Sequence, residues 1–518
     1  MPAQSSATPV AARLSWPPVS AMVHLCAAAR IEMSMTQIRN ALQDASSREA
    51  PRAYGDNTPQ PVRSLRDWLD HLAARDRLVV LEPGIGLRFE LAAIAKRLDG
   101  VRATLFPRPG GHPIPVVSGL VSDRAWMAEA MGVETGEVLS RFSEAAQHPI
   151  PWREAASGPV HEVVHRDVDL ARLLPLPTHN EHDGGPYVSA GLMITRNPRT
   201  GAQNVSIHRC QLHGPDRLGV LLLPRHAHMF FEMAEQGGRP LEAAIVVGID
   251  PLTLLASQAI APIDVDELEI AGALHGRALP VVKCVTSDLR VPADAEIVIE
   301  GRLLPGVREL EGPFGEFPQY YGERGERHVM EIDAVTHRKD AIFHTIVGGG
   351  LEHLLLGAIP REATLLAHLQ RSFPNVRDVH LSRGGVCRYH LYVQIRKRQE
   401  GEAKNIMLGA FAGHYDVKHV IVVDEDVDIH DPAEVEWAVA TRFQADRDLV
   451  VVPESQGSKL DPSTRNGVGA KMGLDATKPL SAAEMTFKRI RVPGEEKVDV
   501  AALIVRAGST NWRDAVKP

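Results

Sequence analysis

From Ser64 onward the chain moves between two hydrophobic rhythms. In SLRDWLDHLAARDRLVVLEP, Leu65, Trp68, Leu69 and Leu72 recur at the spacing of a helix buried on one side, and the apolar run 78–81 before Pro-Gly reads as a strand and its stop. FELAAIAKRLDG repeats the helical rhythm, and ATLFP with HPIPVVSGL reads as paired strands, so residues 61–155 form a small α/β unit. Between 156 and 350 the rhythm shortens. EVVHRDVDL, YVSAGLMITRN, NVSIHRCQLHG, RLGVLLLP, EAAIVVGID, LPVVKCVTSDLRVPA, EIVIEGRLL and HVMEIDAVTHR are short strands punctuated by Gly, Pro and Asp, at the density of a barrel or sandwich. Helices there are confined to 229–236 and ELEIAGALHG. From 351 to 495, apolar runs such as HVIVVDED alternate with helical stretches such as PAEVEWAVATRF, the pattern of a doubly wound α/β layer, and 496–518 is a short mixed tail. The fold class is α/β, in several domains.

Residues 1–60 lack these rhythms. Pro-Pro at 17 and 18, Ser and Ala runs and PQPVRS read as a loose tail, or as residues upstream of a true start at Met33 or Met35 rather than Met1. The apolar stretch 19–29 contains His24 and lacks a basic leader, which argues against a secretion signal. No segment has the ~18 uninterrupted apolar residues of a membrane span. A net charge of -8 offers a phosphate backbone no general attraction, so nucleic acid is not expected as a partner. Cys26, Cys210, Cys284 and Cys387 are scattered with no CxxC pair, which fits a reducing cytoplasm better than a disulfide framework or a zinc site.

The candidate chemistry concentrates in two stretches. LEGPFGEF sets Glu311 and Glu316 around a Gly-Pro core that no helix holds comfortably, so a rigid loop should aim two carboxylates into one space. Paired carboxylates shift one another's pKa and so separate into an acid and a base; the plain alternative is a surface turn with two solvated glutamates. In NVSIHR, strand alternation puts Asn204, Ser206 and His208 on one face, with Arg209 opposite unless the strand ends or bulges there. Arginine suits bidentate capture of a carboxylate, and a structural salt bridge is its alternative. Other signals are weaker. Gly348–Gly350 reads as a hinge, DEDVD at 424–428 as a solvated loop, His179 and His182 as structural support, and VGAKMG lacks the spacing of a P-loop.

THNEHDGGPYVSAGL (178–192), NVSIHR (204–209), LPVVKC with SDLRVPADAEIVIEG (279–301), LEGPFGEF (310–317) and GVGAKMGLDATKP (467–479) stand in this order, and with them the chain resembles the UbiD family of decarboxylases from about residue 64 to 480. The resemblance implies a central split β-barrel that binds prenylated FMN and a C-terminal α/β domain that builds a homodimer or homohexamer. It implies non-oxidative, reversible decarboxylation of an aromatic, heteroaromatic or α,β-unsaturated carboxylic acid through a covalent substrate–cofactor adduct, with a flavin prenyltransferase as cofactor supplier. Arg209, Glu311 and Glu316 match the family's catalytic set: Arg209 would hold the carboxylate and Glu311, and Glu316 would deliver the proton that replaces CO2. Asn204, His226 and Glu267 match the ligands of a divalent ion, usually Mn2+, and their oxygen and nitrogen donors suit it. Ala256, Ser257 and Ala259, with Glu267, match the holders of K+, and Lys471 matches the lysine that meets the cofactor phosphate. Ser206, Ile207, His208, Arg209 and Arg225 complete the expected cofactor contacts. Arg225 stands where ferulic acid decarboxylases carry glutamine, and its charge suits a phenolate, a second carboxylate or a polar heterocycle; pairing with a nearby acid is the structural alternative. Phe317 would offer an aromatic wall or simply fill the core. Two other readings stay open: a subunit that turns over only in a larger phenol carboxylase complex, and a non-catalytic flavin carrier.

Overall fold

The computed structural model describes residues 61–504 together with Arg513 and Val516; the expectations for 1–60 lie outside the described residues. The first helix, Leu65–Ala73, starts where the Ser64 side chain accepts a hydrogen bond from the Asp67 amide, and it buries Leu65, Trp68, Leu69 and Leu72 as the spacing predicts. Trp68 is fully buried because its indole N–H finds the Leu120 carbonyl at 3.0 Å. Strands Ala103–Phe106 and Val116–Ser118 pair antiparallel as expected, in a four-stranded sheet completed by Phe343–His344 from far downstream.

The expected central barrel is instead a nine-stranded sheet whose hydrogen bonding never closes. Its main path runs from Tyr187–Val188 through Cys210–Gly214, Arg217–Val220, Gly325–His337, Ile297–Glu311, Leu241–Val247 and Leu192–Arg196 to Gln203–Ile207, with Val163–His165 on a side branch. Gln203–Ile207 ends the path at one side, and Cys210–Gly214, the next strand in sequence, lies one place from the other end. Only His208 and Arg209 connect them, so Ile207 and Cys210 lie at most roughly 11 Å apart. The sheet therefore curls until its ends approach, and a two-residue segment crosses the unbonded seam. The interior strands are near-continuously apolar, with Ala243–Val247 and Ile297–Ile299 fully or almost fully buried.

Helices in this region number more than the pattern suggests: Leu170–Leu173, His226–Gln236, Pro251–Ala256 and Glu267–Leu274. Pro251–Ala256 is too short to show periodicity and starts at Asp250, whose carboxylate accepts from the Leu252 and Thr253 amides. Beyond it, the 22-residue helix Leu351–Ser372 leads into a five-stranded sheet ordered Val376–Leu381, His390–Ile395, His419–Asp424, Val468–Ala476, Leu449–Gln456. Only the three middle strands are parallel; both edges pair antiparallel, so the layer is mixed rather than purely doubly wound. Alternation along His419–Asp424 sends Val420 and Val422 into a core shared with Leu365, Leu369, Ile406 and Met407. Val423 faces Val435 and Ala438 of the Pro432–Arg442 helix on the opposite side.

Of two minor expectations, one holds and one changes. DEDVD is a mostly exposed turn, as expected, that also carries ion pairs: Arg442 binds Asp424 at 3.0 Å and Asp426 at 2.9 Å, and Lys478 reaches Asp426 at 3.1 Å. The glycine triplet is no loose hinge, since all three residues are buried. A Cβ on Gly348 would overlap the Gly315 carbonyl, so the triplet is the bed on which the Glu316 loop lies.

Candidate active site

Three separate chain segments bring Arg209, Glu311 and Glu316 together. Gln203–Ile207 does end before Arg209, which frees its side chain from the alternation and leaves it in the seam of the curled sheet. Glu311 is the last residue of the strand Ile297–Glu311. Glu316 follows the short strand Phe314–Gly315, which pairs with Tyr321–Gly322, and its amide donates to the Tyr320 carbonyl at 2.9 Å. Arg209 Nη2 donates to Glu311 at 2.8 Å and Nη1 to Glu316 at 2.6 Å. The side chains are 6%, 0% and 11% exposed, so neither glutamate is a solvated surface group. Gly322 is required here: a Cβ would stand 2.6 Å from Arg209 Nη1.

Neighbours that the sequence does not single out fix this geometry. Tyr187 donates its hydroxyl to Glu311 at 3.0 Å, and its ring packs 4.4 Å from Phe314. Burial, reinforced by Glu311, pushes the Tyr187 phenol up, so it remains a donor. Gln211 accepts from the Gly312 amide at 2.8 Å and donates to the Gly184 carbonyl at 2.8 Å. Asp183 accepts from the Gly315 amide at 2.9 Å. The segment THNEH thus braces the glutamate loop: His179, whose pKa burial lowers to about 4, bonds Thr345 at 2.8 Å, and the His182 amide donates to the Tyr321 hydroxyl. Burial raises the pKa of Glu316 against the pull of Arg209. Arg209 Nε has no hydrogen-bond partner among the described residues.

A second group lies on the neighbouring strand. Asn204 donates to Glu267 at 2.9 Å, the Val205 amide donates to the same carboxylate at 2.7 Å, and Ser206 meets His208 at 2.9 Å, as the alternation predicts. Glu267 is 3% exposed, and burial raises its pKa to about 8. His226 opens the helix that packs on this strand, and its ring has no hydrogen-bond partner among the described residues. An amide oxygen, a carboxylate without a cation and an unclaimed imidazole fit a divalent metal. Ala256, Ser257 and Ala259 lie at the end of the helix packed on Glu267–Leu274; the Ala256 carbonyl already accepts the Ala259 amide at 2.9 Å. Lys471 is apart from this group on the C-terminal sheet. Its ammonium donates to the Tyr415 and Val417 carbonyls, and burial lowers its pKa to about 8. Arg225 pairs with no acid among the described residues; it donates to the Tyr415 hydroxyl at 3.0 Å. Phe317 belongs to the core and lies under the Arg388 guanidinium at 5.1 Å.

A multidomain α/β fold thus holds a buried arginine clamped between two carboxylates and, separately, a buried carboxylate bonded to an amide with no cation partner among the described residues. Models of the 3-octaprenyl-4-hydroxybenzoate carboxy-lyase match in three parts: the N-terminal domain over residues 69–146, the Rift-related domain over 153–351 and the C-terminal domain over 354–476. The chain belongs to the UbiD family of carboxy-lyases, and it is a UbiD-class decarboxylase. It is similar to the UbiD-class enzyme HmfF from Pelotomaculum thermopropionicum in complex with FMN, with 50% identity, a TM-score of 0.84, and coverage of 85% of this chain and 100% of that one. An evolved dimeric form of that enzyme, in complex with prenylated FMN, matches at 48% identity and a TM-score of 0.80 over the same shares. Anhydromevalonate phosphate decarboxylase from Methanothermobacter thermautotrophicus is 39% identical over 427 residues, 82% of this chain and 99% of that protein. The 3,4-dihydroxybenzoic acid decarboxylase of Klebsiella pneumoniae is 31% identical with a TM-score of 0.78, covering 83% and 97%. Among the described residues no helix is long and apolar enough to cross a membrane.

Proposed function

We propose that the chain is a prenylated-FMN-dependent carboxy-lyase that reversibly removes CO2 from an aromatic, heteroaromatic or α,β-unsaturated carboxylic acid. The buried Arg209–Glu311–Glu316 cluster carries this reading. When bound, prenylated FMN would supply an electron sink for the charge that departing CO2 leaves behind. Arg209 holds the acid, and Glu311, accepting from both Tyr187 and Arg209, fixes the guanidinium. Glu316 delivers the proton to the product carbon; burial raises its pKa, which favours the protonated form that a donor needs.

Asn204, His226 and Glu267 would hold Mn2+, with the Ala256, Ser257 and Ala259 carbonyls and Glu267 holding K+. Ser206, Ile207, His208 and Arg225 would contact the cofactor and Lys471 its phosphate. Glu267 has no cation beside it and Lys471 forms no ion pair among the described residues, with Asp416 the one acid that acts on it; this supports a cation at the first and an anion at the second. A flavin prenyltransferase would load the cofactor in the cytoplasm, where Cys210, Cys284 and Cys387 stay reduced. Residues 61–155, 156–350 and 351–495 would act as separate domains, the last joining copies into a dimer or hexamer.

Glu316→Gln should retain the flavin and lose turnover. A variant that decarboxylates at the wild-type rate would remove Glu316 from its role.

A further inference from the structure

We propose that Tyr187 is a positioning residue for the reaction: its hydroxyl holds Glu311 as the carboxylate, so that the one proton of the glutamate pair resides on Glu316. The inference rests on the catalytic reading of Arg209, Glu311 and Glu316, and it says what decides between two acids that share one guanidinium. Arg209 does not decide in favour of Glu316 as the acid. It gives one N–H to each carboxylate, at 2.8 Å to Glu311 and 2.6 Å to Glu316, and the closer contact favours charge on Glu316. The Phe317 backbone adds to that pull. Burial ranks the pair the same way: Glu311 is fully buried, whereas the Glu316 side chain is 11% exposed. Desolvation alone would therefore put the proton on Glu311 and leave Glu316 without the one it delivers.

The Tyr187 hydroxyl opposes these effects. It donates to Oε1 of Glu311 at 3.0 Å while Arg209 donates to Oε2, so each oxygen of that carboxylate receives one donor. Among the described residues no side chain but Arg209 donates to Glu316. A phenol has a single hydrogen, and Gln211 Oε1 at 3.1 Å and the Pro313 carbonyl at 3.4 Å also lie within its reach. The hydrogen goes to Glu311 when Glu311 is charged, because a charge-assisted bond is about twice as strong as a neutral one. A proton on Glu311 would forfeit that bond, since Gln211 and Pro313 offer only neutral acceptors.

The phenol is held in place for this task. Tyr187 and Gln211 are cross-strand partners, and Gln211 accepts from the Gly312 amide next to Glu311. The tyrosine ring is fully buried, 4.4 Å from Phe314, and burial keeps its hydroxyl protonated. A Cβ on Gly184 would stand 2.5 Å from the Gly312 carbonyl oxygen, so the segment leading to Tyr187 lies directly against the glutamate loop. The other titratable groups facing the pair are Asp183, which accepts from the Gly315 amide, and Cys210, whose thiol burial keeps protonated; neither bonds to either glutamate. When Glu316 passes its proton to the product carbon, its O–H bond breaks, the electron pair on carbon forms the C–H bond, and two carboxylates then face one guanidinium. The next proton, taken from water, has to return to Glu316, and Tyr187 directs it there.

The test locates the proton by neutron diffraction from the deuterated holoenzyme at about pH 6.5, where carboxyl groups of ordinary pKa are ionised. In the wild type, deuterium should lie on Glu316, with the Tyr187 hydroxyl pointing at Glu311. In Tyr187→Phe, which keeps the ring and removes the hydroxyl, it should lie on Glu311. That variant should release CO2 about tenfold more slowly, with KM within about twofold of the wild type, as for loss of one hydrogen bond to a charged group. The deficit should shrink as pH falls toward about 5, because a second proton then occupies Glu316 as well. Replacing Tyr187 by 4-aminophenylalanine, a weaker donor of the same shape that leaves Glu311 partnered, should give a smaller deficit with the same pH trend, and keeps the test decisive if Tyr187→Phe does not fold. Deuterium that stays on Glu316 in Tyr187→Phe, or a deficit that is the same at every pH, would overturn the proposal and leave the role of Glu316 intact. Deuterium on Glu311 in the wild type would overturn both, so the two failures are separate results.

Discussion

Arg209→Met removes the one cation that two buried carboxylates face. Glu311 is fully buried and would keep only the Tyr187 hydroxyl and no charged partner; Glu316, already raised by burial, would lose the pull that opposes the rise. Removing one partner from a buried ion pair costs about 3–5 kcal/mol when the other must stay charged. A carboxyl group can escape that cost by taking a proton, and each pH unit changes the cost of doing so by about 1.4 kcal/mol. The sign follows directly. The variant's folded-state Glu316 has a pKa further above its unfolded value, so the penalty is absent below the unfolded pKa and grows as pH rises through the folded one. Between pH 8 and pH 5 the destabilisation should therefore shrink by up to about 4 kcal/mol. Thermal midpoints of the wild type, Arg209→Met, Glu311→Gln and the double variant at both pH values test this. The double variant should be less destabilised than the sum of the single ones, because Glu311→Gln removes the charge that Arg209→Met strands. A loss that is equal at pH 5 and pH 8, with additive single effects, would refute the claim that this cluster is held by charge.

Three further outcomes follow from the same physics. Gly348→Ala should lower turnover about 100-fold, since a Cβ must displace the Gly315 backbone and the Glu316 loop with it, while Gly136→Ala, with nothing within 4 Å, should leave turnover unchanged; equal rates in the two would contradict the packing argument. Burial pushes the Glu362 pKa up, but Arg124 and His380 pull it further down, to about 2, so its stabilisation is present above the unfolded value of 4.5 and lost as pH falls toward 2. Glu362→Gln should therefore lower the thermal midpoint more at pH 7 than at pH 3, and an equal loss at both would show that Glu362 titrates normally. With Glu316 acting as a buried acid, CO2 release should decline as pH rises through its raised pKa; a rate that is flat through that range under conditions where protonation limits turnover would contradict it.

Much of the site was readable from local pattern. Alternation in NVSIHR correctly groups Asn204, Ser206 and His208, and the Gly-Pro core of LEGPFGEF correctly rules out a helix between the glutamates. Arg209 was readable only conditionally, because nothing local says that a strand stops after Ile207 to let the chain cross a seam. Tyr187 and Gln211 lie on paired strands and meet Glu311 and Gly312 only after the sheet curls, so their polar atoms gave no local signal beyond their place near the motifs. The direction of the edge strands in the C-terminal sheet is also silent in the sequence, since period-two alternation is the same for either direction. Gly348–Gly350 reads as flexible in isolation and is rigid here because another glycine backbone lies against it.

The central claim is tested most directly by co-expressing the chain with a flavin prenyltransferase, determining the mass and absorption spectrum of the bound cofactor, and measuring CO2 release from a panel of aromatic and α,β-unsaturated acids. The expected result is a bound prenylated flavin with turnover of at least one acid. A protein that takes up no flavin with manganese and potassium supplied, or that carries prenylated flavin and releases CO2 from none of the acids, would contradict it.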